Sequence, residues 1–184
     1  MSNAFDWLPE LVLFTDYENN WDKYLDALYS FYKADFLDSK PKYRNQYIGV
    51  KRLPIFEGKE SNFWHLIQEA FESKKEEDRI PDFRRCERIR WPRPIIENSE
   101  NTVVLVWKNK RHSSVGIQRN ICLWIKEKDY LVILRKRKKY ILFWTAYPVT
   151  KEHRKRKLQK EYDEYKKTGD VISDDPVTPS THGR

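Results

Sequence analysis

Between positions 101 and 148 apolar and β-branched runs alternate with turn-like or charged residues, which is the pattern of consecutive strands. The runs fall at 102–107, 117–126, 130–135 and 140–147. The last three are joined by short connections with no helical period, so they predict an antiparallel meander. Upstream, Trp21, Leu25, Leu28, Tyr29 and Tyr32 recur at helical spacing and predict an amphipathic helix over 21–36. A short strand is expected at 46–53, then a turn at Glu57-Gly58-Lys59. Ser61 or Asn62 is an acceptable cap for a second helix reaching about residue 73. Its apolar stripe is Phe63, Leu66, Ile67, Ala70 and Phe71, which places His65 on the other side with Gln68, Glu69 and Glu72.

Phe83, Cys86 and Ile89 have a helical period, and Pro92 and Pro94 are expected to end that helix and lead into the sheet. Beyond the sheet Thr150 is placed to cap a helix running to about residue 167, with Leu158, Tyr162 and Tyr165 as its stripe. From Gly169 onward almost nothing is apolar, so a disordered tail is expected. The predicted class is α+β: N-terminal helices packed on a four-stranded antiparallel β-sheet, then a C-terminal helix and a disordered tail. Three regions follow: an N-terminal helical extension (1–60), a helix-plus-sheet domain with the C-terminal helix (61–168), and the tail (169–184).

Composition sharpens this picture in two ways. Aromatic residues make up 15% of the 184 positions, with seven Trp, which argues for a core built from large rings rather than for disorder. The net charge of +8 is unevenly placed, because positions 84–156 hold 20 Lys and Arg against 6 Asp and Glu. A basic body with acidic flanks points to a polyanionic partner, a solvated soluble surface being the plain alternative. Cys86 and Cys122 have neither metal-ligand nor disulfide-framework spacing and read as buried thiols of a cytoplasmic protein. No apolar run is long enough to span a membrane and the N-terminus lacks a signal-peptide layout, so no membrane partner is expected.

Histidines at 65, 112, 153 and 182 form no metal-ligand pair, and the chain lacks a P-loop, a dinucleotide fingerprint and a nucleophile elbow. Neither a metal nor a cofactor is expected. Metal-free acid–base chemistry on a phosphodiester remains, needing a base or acid, cationic donors and hydroxyls that orient the phosphate. His112 lies in the segment before the second strand, Arg119 on that strand, and Lys126 at its far end. Thr145 and Tyr147 share one face of the last strand. Arg88 adds a further cation, and His65 is an alternative base to His112. Each has a plainer reading: an exposed loop histidine, a threonine kept for its β-propensity, a packing tyrosine.

An Arg-rich approach, the entry Trp91-Pro92-Arg93-Pro94-Ile95-Ile96, the meander and the closing Trp144-Thr145-Ala146-Tyr147-Pro148 resemble the barnase/EndoU/colicin/RelE superfamily of ribonucleases. The likeness covers roughly 61–150 and is nearest to the phage and contact-dependent toxin branches. It implies a helix on a four-stranded antiparallel sheet and catalysis without metal. Thr145 and Tyr147 would position the scissile group, Arg119 would hold the phosphate with Arg88 and Lys126, and His65 or His112 would move the proton. The expected activity is a metal-independent endoribonuclease, a toxin or phage-defence component, that leaves 2′,3′-cyclic phosphate ends. RNA is the expected partner ahead of DNA, with an acidic antitoxin or immunity protein as a second. The alternatives are a non-catalytic RNA- or DNA-binding module using a basic sheet face, and a protein-interaction domain.

Overall fold

The computed structural model describes residues 4–69, 80–114, 116–169 and 172–173. Helix α1 (Trp21–Phe36) starts at Asn20, whose side chain accepts from the Lys23 backbone N–H, and buries Tyr24, Leu25, Leu28, Tyr32 and Phe36. Two short strands follow, β1 (Lys42–Tyr43) and β2 (Gln46–Val50), joined by a two-residue turn. Arg44 and Asn45 both have positive φ there, as such a tight hairpin requires. A second small hairpin pairs β3 (Ile55–Phe56) with β4 (Lys59–Glu60). Helix α2 (Ser61–Ile67) passes directly into β5 (Gln68–Glu69), which pairs with β6 (Ile80–Pro81).

Helix α2 ends six residues earlier than its apolar stripe implies, and the 70–73 part of that expectation lies outside the described residues. Ser61 and Asn62 are not its caps. Glu60 precedes the first turn, the Ser61 hydroxyl donates to the Leu53 carbonyl, and Asn62 is buried among backbone carbonyls of the sheet. Asp82 caps the one-turn helix α3 (Phe83–Cys86) by accepting from the Arg84 N–H. The two prolines expected to break the chain instead open helix α4 (Pro92–Glu97), where a missing N–H loses no hydrogen bond. Ile95 and Ile96 are therefore buried helical residues, not a lead into the sheet.

The long strands are β7 (Leu105–Ser113), β8 (Gly116–Ile125), β9 (Tyr130–Lys136) and β10 (Ile141–Pro148). Helix α5 (Glu152–Thr168) follows, preceded by Lys151 rather than capped by Thr150, and ends at Gly169 in the left-handed conformation. A two-residue strand β11 (Ile172–Ser173) then adds to the sheet inside the stretch expected to be disordered, most of which lies outside the described residues.

The expected four-stranded antiparallel sheet is corrected to a mixed one with strand order β1-β2-β10-β9-β8-β7-β11. Strand β2 runs parallel to β10, with Ile141, Leu142 and Phe143 opposite Ile48, Gly49 and Val50, and β11 runs parallel to β7. The local pattern gave no sign of this, because β2 is separated from β10 by some ninety residues. Each sheet face has its own core. The larger one joins Ile121, Leu123, Val132, Leu134 and Phe143 to Tyr32, Phe36, Phe63 and Ile95. The smaller one joins Trp107, Cys122, Trp124 and Leu131 to Val149 and Leu158. No helix among the described residues is long and apolar enough to cross a membrane.

Candidate functional site

Along β7 to β10 alternate side chains face α5. Trp107, Cys122, Trp124 and Leu131 fill the space beneath Leu158 of that helix. Beside this small core the face opens into a cleft of about 380 Å³. Arg111, Asn120, Arg135, Trp144, Thr145 and Tyr147 line it from the sheet, and Arg154 and Lys157 from α5.

A β-bulge shapes its floor. Phe143 stands opposite Leu134 and Thr145 opposite Ile133, so Trp144 is the extra residue and the strand bends there. The two carbonyls freed at the bend accept from the buried Asn62 amide, Phe143 at 3.3 Å and Trp144 at 3.2 Å. The Tyr32 hydroxyl in turn donates to Asn62 Oδ1. Helices α1 and α2 thereby fix the bulge from the opposite side of the sheet. Trp144 is left with its ring beneath the Arg135 guanidinium, 3.4 Å from the centroid. Stacking of this kind suits Arg better than Lys, since the guanidinium is planar and weakly hydrated.

A polar relay then runs across the strands. Glu161 on α5 is 5% exposed, and its carboxylate accepts from Trp107 Nε1 at 3.1 Å, from Asn109 Nδ2 at 3.1 Å and from Arg111. With its amide nitrogen turned to Glu161, Asn109 presents Oδ1 to the amide of Asn120 at 3.1 Å. Asn120 in turn presents Oδ1 to Arg135 Nε at 3.4 Å. Each amide is oriented by its neighbour, and the last link leaves the terminal nitrogens of Arg135 for the cleft.

The electrostatics favour an anion. Glu161 neutralises Arg111, whereas Arg135 has no carboxylate partner among the described residues. Desolvation, with Arg137 nearby, lowers the Arg135 pKa to about 10, so the group is charged at neutral pH and short of a counter-ion. Thr145 is 6% exposed and its Oγ1 is buried without a hydrogen-bond partner. Such a group costs free energy until a ligand or water satisfies it. The Tyr147 hydroxyl accepts from Arg154 at 3.4 Å, and Arg85 lies over its ring at 5.2 Å. Tyr147 and Arg154 also form the wall of an adjoining cleft of about 210 Å³, which reaches Arg85, Lys151 and His153.

Of the residues singled out in the sequence, the cleft contains Thr145 and Tyr147. His65 sits on α2 with its ring 6.0 Å from that of Trp144 and is not part of the lining. His112 is not in a loop but in β7, facing away from the cleft together with Arg119. Their chain neighbours Arg111 and Asn120 point inward instead. Arg88 lies over Trp91 and pairs with Glu87 on the side of the larger core. Lys126 is in a turn at the opposite end of β8 from Arg119. Sequence reasoning missed Arg135, Arg154, Asn109, Asn120 and Glu161. Parity along the strands would have found Arg135, but parity needs a register, and the bulge changes it. Among the described residues no group of three or more His, Cys, Asp or Glu could hold a metal ion. No protein-family model matches the chain, and neither a curated protein nor a solved structure does.

Proposed function

We propose that this chain binds nucleic acid and seats a backbone phosphate in the cleft beside Arg135 and Thr145. The observation that carries the reading is a half-buried guanidinium with no carboxylate among the described residues, lining the same cleft as a buried hydroxyl that has no hydrogen-bond partner among them. Arg135 offers paired donors to a phosphate, Thr145 a further hydroxyl, and Arg154 and Lys157 close the site from the helix. Two buried free cysteines fit a reducing compartment such as the cytoplasm. An acidic antitoxin or immunity protein would fit the same basic cleft as a competitor for the nucleic acid.

One feature favours a second reading, a metal-independent endoribonuclease like those the sequence resembles. The Tyr147 phenol, held by Arg154, shares a wall with Thr145, where it can exchange a proton with a phosphodiester. In this reading Tyr147 takes the place expected for His65 or His112. A labelled RNA incubated in EDTA, with one gel for binding and one for cleavage, tests both. Arg135→Ala is expected to weaken binding by about 1.5–3 kcal/mol, roughly 10- to 150-fold. Unchanged affinity would remove the cleft from the binding site. Fragments with 2′,3′-cyclic ends that vanish in Tyr147→Phe would establish the nuclease, and intact RNA the binding module.

A further inference from the structure

The outer side of the same sheet carries a charge pattern that the cleft does not use. Lys110 on β7 stands opposite Arg119 on β8, and Arg119 opposite Lys136 on β9, so three cations form one row across three strands. Neighbouring strands are about 4.8 Å apart, and like charges directly opposite one another are destabilising. None of the three has an ion pair among the described residues. Positions 101–126 and 130–151 contain no Asp or Glu. Arg119 and Lys136 are exposed, and Ile117, two residues from Arg119 on the same face, is 55% exposed. A row of three cations with no ion pair among the described residues suits a polyanionic partner.

The row is level with the cleft. Lys110 precedes Arg111, Arg119 precedes Asn120, and Lys136 follows Arg135, so the two faces carry their charge at the same height along the strands. The β9–β10 connection lies beyond that level and holds Arg137, Lys138 and Lys139, all exposed. A chain leaving the cleft therefore meets cations continuously around the strand ends. Duplex DNA, with a persistence length of about 150 base pairs, does not fold around the edge of one sheet, whereas a single strand does.

We infer that Lys110, Arg119 and Lys136 continue the binding path of a single-stranded nucleic acid, which passes from the cleft over the Arg137–Lys139 turn to the outer face. The inference rests on the phosphate reading of the cleft and names the ligand class for it. The test uses fluorescent oligouridylates, one of two and one of twenty nucleotides, titrated at several KCl concentrations. The proteins are the full chain, its Arg135→Ala variant, and a triple variant Lys110→Gln, Arg119→Gln and Lys136→Gln.

The triple variant is expected to bind the dinucleotide as the parent does. For the long oligomer its slope of log K against log salt is expected to be shallower by about 2, from three lost contacts at about 0.7 each. Its Tm should be unchanged or higher, because like charges have been separated. A parental slope in the triple variant, with Arg135→Ala still impaired, would overturn the outer path and leave the cleft standing. A parent that binds neither oligomer would overturn the cleft reading itself. Equal binding of a duplex of the same length, or equal competition by polyaspartate charge for charge, would also overturn the inference, the latter in favour of an acidic protein.

Discussion

Thr145 separates stability from function at a single atom. The side chain is buried and its Oγ1 has no partner among the described residues, so the desolvation of that hydroxyl is not offset by them. Thr145→Val keeps the branched shape suited to a strand and removes only the oxygen. Stability should stay level or rise by up to about 1 kcal/mol in urea unfolding, while RNA affinity falls severalfold. Loss of stability with unchanged affinity would make Thr145 a packing residue. The sequence did mark Thr145 and Tyr147, since alternation along one strand is a local property. It pointed to His112 and Arg119 where Arg111 and Asn120 are the inward residues, because which parity faces the cleft is set by pairing with β9 and α5.

Helix α5 is the element that turns a sheet face into a cleft. Its stripe is thin, with Leu158 and Glu161 its buried residues, so docking depends strongly on the carboxylate and its three donors. Glu161→Gln retains the shape but leaves Arg111 without its counter-charge in a partly buried position. A loss of about 3 kcal/mol is expected, read as a lower urea midpoint at unchanged slope. RNA binding should weaken with it, because Arg154 and Lys157 ride on the same helix. A variant as stable as the parent would show that α5 is held by Leu158, Tyr162 and Tyr165 alone. The helix itself was legible from periodicity. Its polar anchor was not, since an acidic residue in a Lys-rich helix looks like any solvated i, i+4 partner.

Over the whole molecule, the sheet carries charge of one sign on both faces. Every charged residue on the four long strands is a cation, and the described acid that meets them comes from α5. This assigns the pH dependence. On the proposed reading an anion pairs with protonated Arg135, so binding is expected below the Arg135 pKa of about 10, and its loss as pH rises through that value. RNA affinity should accordingly be flat from about pH 6 to 8.5. A severalfold loss as pH rises from 5.5 to 7.5 would instead place a histidine in the contact.

Local signals were enough for α1, from its 3.6-residue period, for the last three long strands, from β-branched and aromatic runs, for the turn at Glu57-Gly58-Lys59, and for the basic bias of the sheet, whereas the first run, expected at 102–107, forms its strand at Leu105–Ser113. Folding was needed to bring β2 beside β10 in parallel, to start a helix at Pro92 and Pro94, to set Asn62 on a bulge eighty residues away, and to link Glu161 to Arg135 through two asparagines. The physical reason is one of range. Propensity and periodicity are fixed by neighbours a few residues apart, whereas register, face and the partner of a buried polar atom depend on segments that meet only when the chain has folded.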